Sequence, residues 1–217
     1  MNTIKTLALS SLLAASAVAS HVALADASAN IGVVSDYVWR GTTQTNGDSA
    51  IQGGLDYSHS SGFSVGTWVS NTAFGSSELD LYGAYNGTYK DFGYGVSVIQ
   101  YRYPQDDTLN WVEYAVSGSY KMFTVKYNTS SDVFGTSTSA NYVEAAADFE
   151  VAKGVGLGVH VGHYKFDDET VFPSYTDYSV SLSKDNFSFT ISDTNLDSTY
   201  IDSKTKFYVG YTKSFDF

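Results

Sequence analysis

Charged side chains recur at alternate positions along this chain, so that each would share one face of an extended strand with the polar residues near it. The charged residues placed in this way are Asp36, Arg40, Asp56, Asp80, Glu113, Lys126, Glu144, Asp148 and Asp177. Carboxylates outnumber cations in this set, and a narrow space lined by them would attract cations and repel anions. The same charges could instead pair with one another and fill the space. The pattern predicts either an ion-conducting lumen or a charge-paired interior.

Histidine is the other residue type here that could support chemistry, as a general base or a metal ligand. His160 and His163 are three positions apart and would face opposite sides of a strand, which excludes a shared metal ion. His59 falls at a predicted turn. Serines are plentiful, but no grouping of serine, histidine and aspartate stands out. The sequence therefore predicts no catalytic residues, no metal site and no cofactor, and a hydrolase or acyltransferase is the weakest alternative.

The composition favours a β protein with one apolar surface. Charged residues make up 16% of the chain and aromatic residues another 16%, whereas about 25% charged residues is usual in soluble proteins. The formal net charge of -11 argues against a nucleic-acid partner, because phosphates would be repelled. The chain has no cysteine, which excludes disulfides and thiolate metal sites.

The N-terminal residues have the features of a secretory signal peptide. Lys5 supplies the positive charge, residues 7–19 form an apolar run interrupted only by serine, and Ala23-Leu24-Ala25 fits the cleavage motif. The apolar run is too short to cross about 30 Å of hydrocarbon as a helix. We expect residues 1–25 to be removed and residues 26–217 to form one exported domain.

Beyond this segment, apolar and polar residues alternate in twelve runs separated by turn residues, which indicates antiparallel strands. The first predicted strand spans residues 30–40 and places Tyr37 and Trp39 on its apolar face. The run that begins at Phe92 loses its alternation near Ile99, which predicts a β-bulge. Since all these strands would bury only one face, either a membrane barrel or a soluble sandwich would fit the alternation alone.

The connections between the predicted strands separate these two folds. Short connections lie around His59, Lys90, Lys121, Lys153 and Lys184, and longer, more polar ones lie between them. Short turns at one end and long loops at the other are typical of outer-membrane barrels. The fold predicted is all-β, a transmembrane antiparallel up-and-down β-barrel of about twelve strands, although ten or fourteen strands stay open.

Large aromatic residues lie on the apolar faces beside the short turns, where an amphipathic ring would meet lipid headgroups. This predicted membrane girdle consists of Tyr57, Phe63, Tyr85, Phe92, Tyr120, Phe123, Phe149 and Phe187. The long loops are acidic, for example at Asp106 and Asp107. We expect these loops to meet lipopolysaccharide through bridging divalent cations.

Two resemblances extend this interpretation. The C-terminal end resembles the assembly signature of bacterial outer-membrane proteins, which implies that Tyr211, Phe215 and Phe217 are recognised by the barrel-assembly machinery. The stretches 35–44, 62–71 and 78–82 resemble the TorF-type family of bacterial outer-membrane proteins, whose members are described as porins from genome sequences alone. This second resemblance implies a porin-like barrel without identifying its solute.

Together these features predict a porin-like channel of the bacterial outer membrane for passive diffusion of small hydrophilic solutes or ions, with a weak cation preference. The alternatives are a closed structural or adhesive barrel and, less favoured, an outer-membrane lipid-modifying enzyme. Neither the solute, the oligomeric state nor the openness of the lumen can be predicted from the charges.

Overall fold

The computed structural model describes residues 26–217. Along the chain the strands are β1 (Asp26–Val34), β2 (Val38–Trp39), β3 (Thr42–Thr43), β4 (Ala50–Ser58), β5 (Phe63–Asn71), β6 (Ser77–Tyr89), β7 (Phe92–Arg102), β8 (Trp111–Tyr120), β9 (Phe123–Ser130), β10 (Ala140–Ala152), β11 (Val155–Phe166), β12 (Tyr175–Lys184), β13 (Phe187–Thr194) and β14 (Lys206–Asp216). All except β2 and β3 form one closed barrel. The predicted signal peptide, residues 1–25, lies outside the described residues.

Each barrel strand pairs antiparallel with its neighbours in the sequence, and β1 pairs with β14 to close the cylinder. At this closing pair Ser28 lies opposite Asp216, and Val34 lies opposite Gly210. On its other side β1 pairs with β4, where Val34 lies opposite Ala50. Closure leaves no unpaired strand edge in the wall. The predicted twelve-stranded up-and-down barrel is confirmed.

The two ends of the barrel differ in their connections, as the sequence predicts. At the turn end the strands are joined by the short segments 59–62, 90–91, 121–122, 153–154 and 185–186. At the loop end the connections are longer, and three of them contain a single 3-10 turn, at Asp107–Leu109, Val133–Gly135 and Ile201–Ser203. Within residues 26–217 no helix is long and apolar enough to cross a membrane.

Side chains alternate between the outer and inner faces of the wall. Large apolar residues such as Ile51, Phe63 and Phe187 lie on the outer face and are exposed. Polar residues lie on the inner face, where Glu78 and Asp177 are buried. This distribution is the reverse of that in a water-soluble protein.

The first barrel strand ends at Val34, so the predicted strand over residues 30–40 is wrong in its second half. Tyr37 and Trp39 are buried inside the barrel and do not face outward. Pairing of β1 with β4 ends at Val34, and of the segment 35–49 that joins them, residues 37–45 fold into the barrel. Their alternation comes from the small β2–β3 hairpin, which has the same period of two.

The predicted bulge near Ile99 is also wrong. β7 pairs regularly with β6 and β8 through Ile99, which packs against the buried aromatic residues at the loop end. The alternation fails there because the inner face of β7 becomes apolar as it enters this cluster. A register shift occurs instead in β10, between Glu150 and Ala152, beside its short turn.

Candidate functional site

Residues 35–49, called the plug from here on, leave β1 at the loop end, enter the barrel and return to β4. Trp39 of β2 pairs with Thr42 of β3, and Arg40-Gly41 forms the two-residue turn between them. The φ angles are 47° at Arg40 and 77° at Gly41. Positive φ at both central residues is the type I′ hairpin turn, and glycine is favoured there. The turn places Arg40 at the tip of the hairpin.

The tip of the plug lies directly against the wall. A β-carbon added to Gly41 would lie 2.5 Å from Cγ2 of Thr194 and 2.7 Å from Cβ of Asp177. These distances are shorter than van der Waals contact between carbon atoms. The hydroxyl of Tyr175 donates a hydrogen bond of 3.0 Å to the carbonyl oxygen of Arg40. The hairpin therefore packs tightly against β12 and β13, and its turn has no space for a side chain at Gly41.

The guanidinium group of Arg40 lies in a cage of one carboxylate and three aromatic rings. Nη1 and Nη2 each donate a hydrogen bond of 2.8 Å to a separate oxygen of Glu113. Cζ lies 4.0 Å from the ring centroid of Tyr142, 4.3 Å from that of Trp39 and 4.9 Å from that of Tyr164. The Arg40 and Glu113 side chains are 8% and 5% exposed. A buried bidentate pair with rings around the cation is a strong and geometrically specific contact.

Further contacts attach the plug to the wall and to a loop. The hydroxyl of Tyr37 donates a hydrogen bond of 2.8 Å to Glu78 on β6. The ring of Tyr37 meets that of Trp68 edge to face, with centroids 5.4 Å apart. The backbone N–H of Thr43 donates a bond of 2.8 Å to Asp202 in the loop before β14. The plug is therefore held from several sides by non-covalent contacts.

Trp39 closes the loop end together with aromatic residues of the wall and loops. Its ring packs edge to face against Tyr101, Trp111, Phe134 and Tyr164, at centroid distances from 5.8 to 6.2 Å. The gap that Trp39 shares with Tyr101, Trp111 and Phe134 has no room for a water molecule. The plug and these rings therefore fill this part of the loop end.

The turn half of the lumen has a different lining. Many of its inner-facing residues are small, and they include Gly95, Ser97, Ser117, Thr124, Gly158 and Ser181. Small side chains leave space inside a barrel that aromatic side chains would fill. The turn half of the lumen therefore lacks an aromatic cluster like that of the loop end.

A second polar cluster adjoins the cage and positions Tyr142. Nε2 of His160 lies 3.2 Å from Glu144, and Nδ1 lies 3.4 Å from Asp177. The hydroxyl of Tyr142 donates a hydrogen bond of 3.0 Å to Asp177. Gly162 provides the room for this hydroxyl, because a β-carbon there would overlap it. These contacts hold the Tyr142 ring against Arg40.

The cluster around His160 lacks the contacts expected of a hydrolase. In the part of the chain that the structure describes, no serine hydroxyl bonds to His160. His163 lies on the outer face and contacts the hydroxyl of Thr176 at 3.0 Å, so the two histidines face opposite sides as predicted. The described residues also hold no group of three or more His, Cys, Asp or Glu side chains suited to a metal ion.

Asp80 is the most deeply buried carboxylate of the interior. Neither of its oxygens has a hydrogen-bond partner among the described residues, and the indole N–H groups of Trp68 and Trp111 also have none. Trp68 lies directly across from Asp80 on β5.

Several charged residues predicted from the sequence come together around the plug. Arg40 and Glu113 form the cage, and Glu144 and Asp177 flank His160. Lys126 lies on β9 directly opposite Glu144 on β10. The structure thus concentrates five of these residues on one side of the lumen, where their role as a pore lining remains a prediction.

The other predicted lining residues are more dispersed. Asp36 accepts hydrogen bonds from Thr43 and Thr45 within the plug. Asp56 accepts one from the hydroxyl of Tyr82. Asp148 lies closer to the turn end and is exposed. These carboxylates extend the acidic inner surface well beyond the cage.

The residues predicted as a membrane girdle lie on the outer face near the turn end, and several of them pack in pairs. The rings of Phe63 and Tyr85 are 4.9 Å apart, and those of Phe92 and Tyr120 are stacked at 4.6 Å. Tyr57, Phe123, Phe149 and Phe187 are also exposed there.

The residues predicted as an assembly signal, Tyr211, Phe215 and Phe217, are exposed at the end of the chain. Contact of these residues with lipid or the assembly machinery remains a prediction.

The loops at the loop end carry ionised carboxylates. The hydroxyl and backbone N–H of Thr170 hold the pKa of Asp168 below its ordinary value by hydrogen bonds of 2.6 and 2.9 Å to its carboxylate. The backbone N–H and hydroxyl of Thr199 lower the pKa of Asp197 in the same way. The rim at this end is therefore negatively charged.

Sequence reasoning missed the cage and the cluster that closes the lumen. Tyr142, Tyr164 and Tyr175 face inward, but their aromatic character alone suits either face of a barrel wall. One local signal was available, since Arg40-Gly41 between two extended pairs fits a two-residue hairpin turn. That signal predicts a hairpin but not its position inside the barrel.

Comparison with known families gives one match. Residues 17–216 match the family described as "Bacterial protein of unknown function (Gcw_chp)". The chain belongs to this family. No curated protein matches the sequence. The Gcw_chp description names no activity, so the function of this Gcw_chp protein has to be inferred from its geometry.

Solved structures similar to this Gcw_chp protein include the KdgM porin, with a TM-score of 0.56 and 11% identity over 88% of this chain and 99% of that chain. The KdgM porin in complex with disordered oligogalacturonate gives a TM-score of 0.55 and 11% identity, with the same coverage of 88% and 99%. A chain from a study of the mechanism behind the in-meso crystallization of membrane proteins gives 0.56 and 8%, over 88% and 84%. At these identities the likeness shows a shared barrel fold.

Proposed function

We propose that this Gcw_chp protein is a porin-like channel of the bacterial outer membrane that passes small hydrophilic solutes or ions by diffusion, with a weak preference for cations. The main supporting observation is a closed barrel with apolar side chains outside and polar, largely acidic side chains inside. An apolar surface around a whole barrel is favourable in lipid and unfavourable in water. The TorF-type resemblance and the fold shared with the KdgM porin agree with this proposal.

The proposal includes the route to the membrane. The signal peptide would be cleaved near Ala25, and the aromatic C-terminal strand would be recognised by the barrel-assembly machinery. The turn-end aromatic residues would lie at one lipid headgroup layer. The negatively charged loops would meet lipopolysaccharide through divalent cations.

The preference for cations follows from the inner surface. The inner-facing carboxylates are Asp56, Glu78, Asp80, Glu113, Glu144, Asp148 and Asp177, and the inner-facing cations are Arg40, Lys126 and Lys206. A narrow lumen with excess negative charge favours cations. It would repel an anionic oligosaccharide such as the oligogalacturonate named in the KdgM complex, so we propose cations and neutral solutes for this chain.

A closed structural or adhesive barrel is a second candidate, and the plug favours it. The gap between the plug and the aromatic cluster has no room for a water molecule, and we propose that conduction requires the plug to move. The plug is held by hydrogen bonds and ring contacts that can be exchanged, and the wall is complete without it. A lipid-modifying enzyme is not supported by the contacts of His160, and we propose a non-enzymatic barrel.

Current recordings in planar bilayers test the proposal against the closed barrel. With a KCl gradient across the bilayer, we expect the refolded wild-type barrel to show brief openings whose reversal potential reports cation preference. The double variant Asp56→Asn/Asp148→Asn should shift this potential towards zero, because it removes charge from the inner surface of the turn half of the lumen. The double variant Asp106→Asn/Asp107→Asn removes the same number of charges from an exposed loop, and as the matched control it should leave the potential unchanged. Complete absence of wild-type openings, or anion preference, would contradict the proposal.

A further inference from the structure

The cage around Arg40 is built mainly from the barrel wall. Glu113 belongs to β8, Tyr142 to β10 and Tyr164 to β11, and only Arg40 and Trp39 belong to the plug. These three strands are paired along their length with their neighbours, so their inner-facing side chains are positioned by the wall. The acceptor and two of the three rings therefore belong to the wall and are not removed with the plug.

The wall part of the cage has the chemistry of a cation site. Glu113 presents both carboxylate oxygens to two parallel N–H groups, at 2.8 Å each. Tyr142 and Tyr164 present their rings to the flat cation at 4.0 and 4.9 Å. A planar fork of donors combined with ring contacts fits a guanidinium group better than an ammonium group. If Arg40 is removed while the rest of the plug stays, Glu113 is a buried carboxylate without a hydrogen-bond partner, which is costly unless another cation replaces the lost one.

We propose that Glu113, Tyr142 and Tyr164 form a binding site for solutes that carry a guanidinium group, and that Arg40 occupies this site while the plug is in place. A solute of this class competes with Arg40 for Glu113 and releases the hairpin tip, which opens the loop end of the lumen. This opening step rests on the proposed channel function, whereas the binding site itself does not.

Binding is tested on the refolded barrel in detergent with Arg40→Ala, which empties the site. The probe is guanidinium chloride at millimolar concentration, compared with equal concentrations of NaCl and tetramethylammonium chloride. We expect saturable quenching or enhancement of tryptophan emission and a raised melting temperature with guanidinium, with an affinity roughly tenfold or more above that for tetramethylammonium, which cannot donate two N–H bonds.

The double variant Arg40→Ala/Glu113→Gln is the control and should lose this response. The wild type should bind guanidinium roughly tenfold more weakly than Arg40→Ala, because its own guanidinium competes. If the alanine variant does not fold, Arg40→Lys is used in its place, because lysine keeps a positive charge but lacks the planar guanidinium group with its two parallel N–H donors. An equal response in the single and double variants, or an equal response to NaCl, would overturn the site.

Recordings of the wild-type channel test the opening step separately. At constant ionic strength, replacing Na⁺ by guanidinium should raise the open probability several-fold, and this effect should be lost in Glu113→Gln. Openings that do not respond to guanidinium would overturn the competition between solute and Arg40. A barrel that binds guanidinium but never conducts would overturn the proposed channel while leaving the binding site standing.

Discussion

Replacement of residues 35–49 by an Asn-Gly turn is expected to convert the barrel into a permanently open channel. Val34 and Ala50 lie directly opposite each other at the ends of β1 and β4, so a two-residue hairpin turn can join them without changing the wall. The replacement removes Trp39 and Arg40 from the lumen and leaves small residues in its turn half. Single-channel conductance should rise on the order of tenfold or more, since a barrel of this size without a plug has a water-filled lumen.

The control for this replacement is a second loop that does not enter the lumen. Residues 168–171 are exposed in the loop between β11 and β12, and their replacement by glycine and serine should leave the conductance at the wild-type level. Both variants should keep the far-ultraviolet circular dichroism of a β-barrel. If the shortened barrel stays as closed as the wild type, the plug is not what blocks the lumen.

Glu113→Gln is expected to have the largest effect of any single substitution on the attachment of the plug. It leaves the Arg40 guanidinium buried beside a neutral amide that has one acceptor oxygen in place of two. Loss of one partner from a buried ion pair destabilises a protein by about 3–5 kcal/mol. We expect a decrease of this size in the free energy of unfolding, measured in urea with lipid vesicles, together with more frequent channel openings.

Asp148→Asn is the matched control for Glu113→Gln. It removes the same charge from the inner face of the wall, but Asp148 is exposed and lies closer to the turn end. Its effect on unfolding should remain within about 0.5 kcal/mol. Equal losses of stability in the two variants would show that Arg40 and Glu113 do not depend on each other in the folded barrel.

The barrel could be predicted from the sequence because its pattern is repeated in every hairpin. Apolar and polar residues alternate along the strands, and short connections at positions such as Lys90, Lys121 and Lys153 recur at regular intervals. These features reflect a single physical requirement, since each strand presents one face to the outside and one to the lumen. The placement of His160 and His163 on opposite faces followed from the same parity.

The plug could not be predicted in this way, because its residues satisfy the same rule. Tyr37 and Trp39 alternate with polar neighbours and are as apolar as residues on the outer face. They differ from outer-face residues because they lie beyond Val34, where β1 stops pairing with β4. The end of that pairing depends on both strands together, so the alternation within one strand does not reveal it. For this reason the sequence analysis predicted both rings on the outer face, whereas the structure buries them inside the barrel.

The pairing of Arg40 with Glu113 depends on still more distant information. The two residues are separated by 73 positions, and they meet across the interior rather than on adjacent strands. The sequence indicates that both face inward, but their contact requires the hairpin turn at Arg40-Gly41 and the closed geometry of the barrel. Residues that act from a segment folded into a lumen are therefore the hardest to identify from alternation alone.

The position of Trp39 tests the central claim most directly. The chain has three tryptophans, so Trp68→Phe/Trp111→Phe leaves Trp39 as the only reporter. In lipid bilayers, a ring buried in the lumen should show the emission of a buried indole, with little quenching by acrylamide from the water or by brominated lipid tails. Strong quenching by brominated lipids would place Trp39 on the outer face, strong quenching by acrylamide would place the plug outside the barrel, and either result would contradict a lumen closed by residues 35–49.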